Sequence, residues 1–548
     1  MLNETYLFLP LVVSGAYFFW KRIHQYLRFL QQEEYDPRRF LNWVLQNKFF
    51  DCKAAMAIIG SLPLAVPSFI ISAFHVLPVF FIYVGWSEPD PRTAGKIKLK
   101  LTERAKRIRN LAFALQILTF LALVSYLIAM IRYQNGYYLH FYIFWILLTI
   151  IIQITPIFLA FAVQILQPSE DRIQKKLLDQ AKHKFREINP YTIGITGSFG
   201  KTSSKAMLGK MLDSALAPTF WPEKGINTPM GITREIREKL SADHKFAVIE
   251  MGAYRPGSIK RLCDLTPPRA AIITAVGRMH LDRMGGDDGV FKAKSELPQA
   301  LPEDGILVCN ADNEGARKIA STYPKQTTIL CSLTGEIELL PNEELCVLQK
   351  LETKVEGTKF KIKFRNAEHQ GFLAMHGTPA LSNFNCCFAL ASALGADPEY
   401  LLAVARNLKQ VSNRLEVVTS PEYSQINDAY NSNPQGFVAA LEVLRDLPGK
   451  RKILVTPGMV ELGDKQVEEN KKVAEFAAKV CDQVYIVSEE NRKTLHAGLQ
   501  AGSFPDENIV FAKNRERAFE LLGADRQSGD VVLLENDLPD LFELDVKL

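Results

Sequence analysis

Hydrophobic and polar positions divide this chain into two unlike parts. Before about residue 170, long apolar stretches alternate with short basic ones. Two stretches, 111–131 and 141–166, are uncharged and long enough to cross a bilayer, which takes about 20 helical residues. The stretch 5–20 is shorter, and 54–86 is long but broken by prolines. We predict transmembrane helices near 5–20, 111–131 and 141–166, with a hairpin over 54–86 that spans or re-enters; buried core helices are the alternative.

The charges between these stretches predict the orientation of the N-terminal part. Segments 21–53 and 87–109 are rich in lysine and arginine, and such loops remain in the cytoplasm. Segment 132–140 carries one arginine and three tyrosines, which suits the outer interface. The first residues lack the basic region of a signal peptide, which indicates an uncleaved anchor. We therefore expect a multi-pass protein of the cytoplasmic membrane, in contact with membrane lipid, with everything after residue 170 in the cytoplasm.

After residue 170, strand-like runs alternate with helical ones. "YTIGIT", "FAVIEMG", "AAIITAV" and "GILVCN" are separated by helical stretches, as in a parallel α/β sheet. Residues 327–373 are richer in β pattern, and a second α/β series begins near residue 410. The predicted fold class is α/β: transmembrane helices over 1–170, a P-loop-type central parallel-sheet domain over 171–409, and a smaller doubly wound domain over 410–548.

Composition excludes two classes of function. The 548 residues carry a net charge of only +5, and no basic run is interleaved with aromatic residues, so nucleic acid is not an expected partner. The eight cysteines include no C-x-x-C pair, which argues against a zinc site and is typical of thiols in a reducing compartment.

The stretch "TGSFGKTS", residues 196–203, follows a predicted strand and opens a helix. Glycines at 197 and 200 allow a tight turn that directs backbone N–H groups at an anion, and the helix N-terminus adds a favourable dipole. Lys201 can reach the β and γ phosphates and the Thr202 hydroxyl can bind Mg²⁺. The pattern is one residue out of register, because Ile195 stands where a phosphate-binding loop usually has glycine.

Three further residues come at or after predicted strands. Glu250 ends one strand, where parallel sheets place ligand groups, and a carboxylate there suits Mg²⁺. His280 follows the next strand, and Lys294 lies in the helix after it. Taken singly, each has a plain structural explanation: a solvated carboxylate, a structural histidine and a surface lysine.

Taken together, these motifs resemble the Mur ligases of peptidoglycan synthesis. The resemblance covers about 171–548 and is closest to the branch that adds D-alanyl-D-alanine to a muramoyl tripeptide. The off-register loop is itself a trait of that family. The matching stretches are "GITGSFGKTS", "GINTPMGI", "VIEMGAYRPGSI", "MHLDRMGG", "FKAKSEL", "CNADNEGA", "NRLEVV", "INDAYNSNPQGFVAAL" and "GMVELG".

The resemblance implies an ATP-dependent amide ligase of the acid–amino acid type. Such an enzyme forms an acyl phosphate that an amine then attacks, and it uses ATP, two Mg²⁺ ions and a carbamylated lysine. Lys294 matches the carbamylated position, with Lys292 as the alternative. The implied catalytic residues are Lys201, His280, Lys294 and Arg414. The residues implied to contact the nucleotide are Gly197, Ser198, Gly200, Lys201, Thr202, Ser203, Asn310, Arg414 and Asp428. Metal ligands fall to Thr202, Glu250, His280 and carbamylated Lys294, and substrate contacts to Asn227, Thr228, Tyr430, Asn431 and Asn433.

The chain departs from the family at its N-terminus. A membrane region stands where the family has a domain for the uridine diphosphate sugar. We therefore expect a lipid-linked or polymeric carboxylate acceptor, with an amino acid or peptide as the amine. Two alternatives stay open: a ligase for another polymer, such as a poly-amino-acid, and an ATP-binding scaffold of the cell envelope. The identity of the acceptor and amine, partner proteins and the oligomeric state are open as well.

Overall fold

The computed structural model forms two compact units, one running to Ile173 and the other beginning at Gln174. The described residues are 2–47, 51, 55, 70–93, 98–132, 137–253, 255–277, 287–354, 356–410, 414–429, 432–460 and 462–537.

The first unit is helical. In it α1 packs against α3 and α4, and α4 packs against α5. Its helices are α1 (Leu2–Gln32), α2 (Pro37–Asn47), α3 (Ile70–Ser87), α4 (Glu103–Arg132), α5 (Tyr137–Gln153) and α6 (Thr155–Ile188), the last of which continues into the second unit.

Length and hydropathy identify few membrane-spanning candidates in the described residues. Glu103–Met130 is long and apolar enough to cross a bilayer. Tyr142–Gln153 and Thr155–Ile188 qualify only as a pair bent by 57°, and Val76–Ser87 is a shorter apolar helix. The prediction of several transmembrane helices is therefore not confirmed. Much of the predicted hairpin over 54–86 lies outside the described residues.

Two arginines of the helical unit form ion pairs with buried carboxylates. Arg22, which is almost fully buried, forms ion pairs with Asp51 and Glu88. Arg107 donates through Nε to Glu170 at 2.5 Å. Burying a charge is costly unless it is paired and hydrogen-bonded, which accounts for these contacts among apolar helices.

The second unit begins with a nine-stranded sheet in the order β2-β3-β1-β4-β5-β6-β7-β8-β9. The pairs from β2 to β7 are parallel, whereas β7, β8 and β9 form an antiparallel meander. Its strands are β1 (Tyr191–Thr196), β2 (Thr219–Phe220), β3 (Phe246–Glu250), β4 (Ala270–Ile273), β5 (Ile306–Asn310), β6 (Thr327–Ser332), β7 (Glu343–Lys354), β8 (Gly357–Phe364) and β9 (Ala367–Leu373).

Helices cover both faces of this sheet. One apolar core lies between the sheet and α7 with α12, and a second lies against α8, α9, α10 and α11. These helices are α7 (Lys201–Ala215), α8 (Pro229–Lys239), α9 (Ser258–Leu265), α10 (Asp287–Gln299), α11 (Glu314–Thr322), α12 (Thr378–Ala393) and α13 (Pro398–Ala405).

A six-stranded sheet follows, in the order β10-β11-β15-β12-β13-β14. Only the edge pair β10–β11 is antiparallel, and an apolar core lies between the sheet and α14 to α16. The elements are β10 (Glu416–Thr419), β11 (Tyr423–Asp428), α14 (Pro434–Asp446), β12 (Lys452–Thr456), α15 (Gln466–Ala477), β13 (Gln483–Val487), α16 (Arg492–Ala501), β14 (Ile509–Ala512), α17 (Arg515–Asp525) and β15 (Asp530–Glu535).

The predicted α/β class is confirmed for the two sheets, with one difference. The central sheet is mixed rather than parallel, because β8 and β9 extend it as an antiparallel edge. The period-two pattern of "KFKIKF" lies in β8, where burial alternates along the strand. The predicted boundary between 409 and 410 stays a prediction.

Candidate nucleotide and ligation site

The carboxyl ends of four parallel strands meet at one edge of the central sheet. In β1 and β3, Ile195 is the register partner of Glu250, and Thr196 of β1 is that of Ile273 in β4. Asn310 ends β5, the next strand along. In open α/β sheets, ligands bind in the crevice outside these ends, so this edge is the candidate site.

The loop between β1 and α7 turns at Gly200. This glycine has a φ of 83°, and a Cβ added to it would lie 2.4 Å from Asn383 Oδ1 on α12. Only glycine takes up such a backbone at low cost, and here a side chain would also collide with its neighbour. The turn places the N-terminus of α7 at the sheet edge, where it can receive an anion.

A second close approach fixes the first part of the loop. A Cβ on Gly197 would lie 1.9 Å from Thr274 Oγ1, directly after β4. The Thr274 hydroxyl donates to the carbonyls of Phe199 and Thr196, and the Ser198 N–H donates to Ala275 O at 2.7 Å. The segment after β4 therefore holds the loop in its turn.

Lys201 is the first residue of α7. Its Nζ donates to Gly197 O at 2.7 Å and to Ser198 O at 3.2 Å, so the amino group lies over the loop itself. Burial lowers the pKa of Lys201 to about 8, helped by Arg414 and opposed by Glu250. A lysine so placed can neutralise phosphate oxygens held by the loop.

Glu250 is buried at the end of β3 between two partners. Lys205 Nζ lies 3.2 Å from Glu250 Oε2, and Asn227 Nδ2 donates to Glu250 Oε1 at 3.0 Å. Lys205 also donates to the carbonyl of Lys224. Burial lowers the pKa of Lys205, and Glu250 opposes the shift. The predicted residues Glu250 and Asn227 are thus brought into direct contact.

The structure separates the two candidate lysines of α10. Lys294 is only 4% exposed, whereas Lys292 lies on the exposed side of the helix. Burial, with a further contribution from Lys201, lowers the pKa of Lys294 well below its usual range. Of the two amines, Lys294 is therefore the one that burial favours in its uncharged form.

The predicted adenine-side residue Asn310 organises a turn. Its Oδ1 accepts from the Asp312 N–H at 3.2 Å. Asp312 in turn accepts from the Ser332 hydroxyl at 2.6 Å and from the Leu333 N–H at 2.7 Å. This network ties the ends of β5 and β6 together beside the loop.

In the C-terminal part, Asp428 and Arg414 are linked through Leu415. The Leu415 N–H donates to Asp428 Oδ1 at 3.1 Å, and Leu415 has a φ of 57°, which is uncommon for a residue with a side chain. Burial raises the pKa of Asp428 to about 7, opposed by the Leu415 N–H and by Arg414. Arg414 also acts electrostatically on Lys201, so the two predicted cations lie within electrostatic range of each other.

Two predicted substrate residues act as helix caps. Thr228 Oγ1 accepts from the Gly231 N–H at 3.3 Å at the start of α8. Asn433 Oδ1 accepts from the Gly436 N–H at 3.0 Å at the start of α14. Such caps satisfy N–H groups that the helix leaves open. Their contact with substrate stays a prediction.

Three predicted site residues, His280, Tyr430 and Asn431, lie outside the described residues. Within the described part of the chain, no group of three or more histidine, cysteine, aspartate or glutamate side chains could hold a metal ion. Mg²⁺ is usually held by one or two carboxylates together with substrate phosphates, so the oxygen donors Thr202 and Glu250 beside a phosphate loop fit that ion. The fit for ATP rests on the left-handed Gly200 and the position of Lys201.

Sequence reasoning missed four residues that shape this site. Lys205 pairs with Glu250, Asn383 and Thr274 touch the loop glycines, and Glu535 ends β15 beside Asp428. Lys205 could have been found, because it lies four residues after Lys201 on the same helix and therefore on the same face. The other three reach the site from distant parts of the chain.

Family comparison covers both sheets. Residues 195–391 match the Mur ligase middle domain, and residues 413–535 match the domain described as Mur ligase, glutamate ligase domain.

Curated relatives carry the name UDP-N-acetylmuramoyl-tripeptide–D-alanyl-D-alanine ligase. The Escherichia coli K12 protein is 28% identical over 339 residues, covering 60% of this chain and 71% of the relative. The Bacillus subtilis 168 protein is 28% identical over 374 residues, covering 66% of this chain and 78% of the relative.

Solved structures of the same kind of ligase share the fold. MurF from Acinetobacter baumannii superposes with a TM-score of 0.59 at 23% identity, covering 66% of this chain and 77% of that one. MurF ligase from Thermotoga maritima, solved in complex with ADP, superposes with a TM-score of 0.58 at 25% identity. The match covers 68% of this chain and 82% of the Thermotoga chain. Since the two family matches together take in more than half of the residues, the chain belongs to the Mur ligase family, whose members are ATP-dependent amide ligases.

Proposed function

We propose that this chain is a membrane-anchored ligase that joins an amine to a carboxylate of a peptidoglycan precursor. The observation that carries the proposal is the convergence of the Gly197–Thr202 loop, Glu250 and Lys294 at one sheet edge. A phosphate loop alone would serve any nucleotide enzyme. A carboxylate-activating site needs metal ligands in addition, and the buried carboxylate of Glu250 and the buried amine of Lys294, once carbamylated, would supply them.

In this proposal the acceptor carboxylate attacks the γ-phosphate of ATP, which gives an acyl phosphate and ADP, and the amine then displaces phosphate to form the amide. Bound Mg²⁺ would offset charge on the phosphates. Lys201 leaves its own loop carbonyls and binds the β and γ oxygens, where a fixed cation favours the charge that develops. Thr202 and Glu250 would hold the ion. Arg414 and Asp428 bind and orient the nucleotide from the C-terminal sheet.

Lys294 is the residue we propose as the carbamate. Only an uncharged amine can add to carbon dioxide, and burial favours the uncharged form of this amine by lowering its pKa. The addition releases a proton and leaves a carbamate anion, so the side chain would change from a group that repels Mg²⁺ to one that can bind it. We propose that a second Mg²⁺ ion binds at this carbamate and that His280 is a further ligand of that ion.

The two substrates are proposed from the relatives and from the N-terminal helices. The relatives' name specifies a muramoyl tripeptide and D-alanyl-D-alanine. In this chain apolar helices precede the family match, which begins at residue 195. We therefore propose a lipid-linked or polymeric peptide carboxylate as acceptor, and an amino acid or short peptide as the amine.

The proposed location is the cytoplasmic membrane, with both sheets in the cytoplasm. Large apolar side chains are exposed on the helical unit, and Trp86, at the end of α3, is 77% exposed. Exposed apolar surface of this extent is typical of interaction with a membrane or a partner protein. Retention in the membrane pellet after alkaline carbonate washing tests the anchoring, and a protease added to intact spheroplasts should leave the two sheets uncut. Release by carbonate would contradict it.

Phosphate release from ATP in detergent tests the activity. The full chain would be offered lipid-linked muropeptide, soluble muramoyl tripeptide or polymeric acceptors, each with D-alanyl-D-alanine or single amino acids. We expect release that requires both acceptor and amine, and mass spectrometry of the product would identify the new amide. ATP binding with no acceptor-dependent release would favour a scaffold, and release with a poly-amino-acid acceptor alone would favour a ligase for that polymer.

A further inference from the structure

Two acidic residues end neighbouring strands of the C-terminal sheet. Asp428 is the last residue of β11 and Glu535 the last of β15, and they are register partners in this parallel pair. Register partners place their side chains on the same face of a sheet. Two carboxyl groups therefore stand side by side at the edge that carries Arg414.

Glu535 is an unusual carboxyl group for its position. It is 1% exposed, its Oε1 accepts from the Ser432 hydroxyl at 2.5 Å, and its Oε2 is buried without a hydrogen-bond partner among the described residues. An ionised carboxylate has only acceptor oxygens, so the arrangement leaves a buried acceptor unsatisfied. A proton on Oε2 would make that oxygen a donor.

Burial raises the pKa of both carboxyl groups of this pair, and the polar groups that face them offset the rise only in part. Arg414 is the charged group that favours ionisation of Asp428, and the Leu415 N–H adds to it. For Glu535 the Ser432 hydroxyl has that role, whereas burial and Asp428 raise its pKa well above the usual range. Two like charges side by side in a buried place disfavour each other, so the pair retains a proton that two separate carboxyl groups would lose.

We propose that Glu535 is a positioning residue for Asp428, which it holds by sharing this proton. Glu535 affects Arg414 indirectly, through Asp428 and Leu415. Asp428 Oδ1 accepts from the N–H of Leu415, a residue with a left-handed backbone that directly follows Arg414. Glu535 thus acts on nucleotide binding without touching the nucleotide. The inference rests on the proposed function for its effect on ATP, but the shared proton itself does not.

Two variants of Glu535 separate positioning from simple packing. Glu535→Gln keeps an acceptor for Ser432 and supplies an N–H donor toward Asp428, so it imitates the protonated acid. Glu535→Leu fills the space and supplies neither. We expect the glutamine variant to keep the ATP KM within about twofold, and the leucine variant to raise it about tenfold, as for loss of one buried hydrogen bond to a charged group. The kcat should change less than the KM in both.

The pH profile of kcat/KM for ATP gives a second measure. The wild-type and glutamine proteins should lose activity as pH falls through about 7, because Asp428 then takes up a proton. In the leucine variant the pH at which kcat/KM for ATP falls should shift, because the residue that shares the proton with Asp428 is gone. Equal damage by glutamine and leucine, with that pH unchanged, would overturn the proposal.

Infrared difference spectroscopy tests the proton directly, with no need for activity. At a pH well above 7, where Asp428 is ionised, the nucleotide-free full chain should show the carbonyl band of a protonated carboxylic acid that is absent from the Glu535→Gln protein. Absence of that difference would overturn the shared proton even in an active ligase. If the wild type shows no acceptor-dependent phosphate release, the proposed function fails, and the infrared result still decides this inference.

Discussion

Lys205 and Glu250 form an ion pair, 3.2 Å between Nζ and Oε2, in which both side chains are almost completely buried. Glu250 ends the strand beside the phosphate loop, and Lys205 lies one turn of α7 beyond Lys201. The pair therefore joins the loop helix to the strand that is proposed to hold the metal ion.

Lys205→Met should destabilise the protein strongly. Removing one partner of a buried ion pair leaves an uncompensated charge and typically costs about 3 kcal/mol or more. Lys210 lies exposed on the same helix, so Lys210→Met is the matched control and should change the free energy of unfolding by about 0.5 kcal/mol at most. Urea unfolding followed by circular dichroism measures both. Equal stabilities of the two variants would show that the pair contributes nothing.

Nucleotide binding should be linked to proton uptake by Lys201. Without ligand its pKa is about 8, and bound phosphates favour the charged form, which raises that pKa. Near and above pH 8 part of the ligand-free protein must therefore gain a proton on binding, so affinity for ADP should fall as pH rises through 8. Isothermal titration calorimetry in two buffers of different ionisation enthalpy measures the uptake. Lys201→Met should abolish it, and the same uptake in that variant would exclude Lys201 as its source.

The strand, turn and helix start of the central loop could be predicted from the sequence, because the information for them is local. A strand, two glycines and Gly200-Lys201-Thr202 at a helix start are contiguous, and so their geometry follows from backbone rules. Glu250 was predicted for the same reason, since it ends a strand. The choice between Lys292 and Lys294 could not be made, because it depends on which side of α10 the rest of the unit covers.

The residues that complete the site come from far along the chain. Asn383 reaches Gly200 from α12, and Glu535 reaches Asp428 from the last strand of the second sheet. Neither lies in a motif with a chemistry of its own. The antiparallel extension of the central sheet was missed for a similar reason, since strand alternation does not state the direction in which β8 pairs.

Gly200→Ala should weaken nucleotide binding for two separable reasons. A left-handed backbone costs an alanine about 1–2 kcal/mol, and its Cβ would also collide with Asn383 Oδ1 at 2.4 Å. Gly395, with a φ of 97° and open space around its added Cβ, is the control for backbone strain alone. We expect Gly200→Ala to lower ADP affinity at least tenfold and Gly395→Ala to leave it unchanged.

A double variant separates the collision at Gly200 from the strain. Asn383→Ala added to Gly200→Ala should restore part of the stability by removing the collision, while the strain remains. Fluorescence titration with a labelled ADP and thermal unfolding measure the two effects. Full ADP affinity in the Gly200→Ala protein would mean that this turn does not form the phosphate site.

Lys294→Ala should abolish ligation, and short carboxylic acids should restore part of it. The variant removes the side chain that we propose to carry the carbamate, and acetate or propionate can place a carboxylate in the vacated space. Lys292→Ala is the matched control, two residues away on the exposed side of α10, and should keep near wild-type rates. Acceptor-dependent phosphate release with and without added acid is the measurement. Activity lost in Lys292→Ala but kept in Lys294→Ala would reverse the assignment, and wild-type activity in both would remove the carbamate from the mechanism.

Because the buried amine can add carbon dioxide only while it is uncharged, wild-type activity should also fall when bicarbonate is stripped from the buffer, and the decline should be steeper at lower pH.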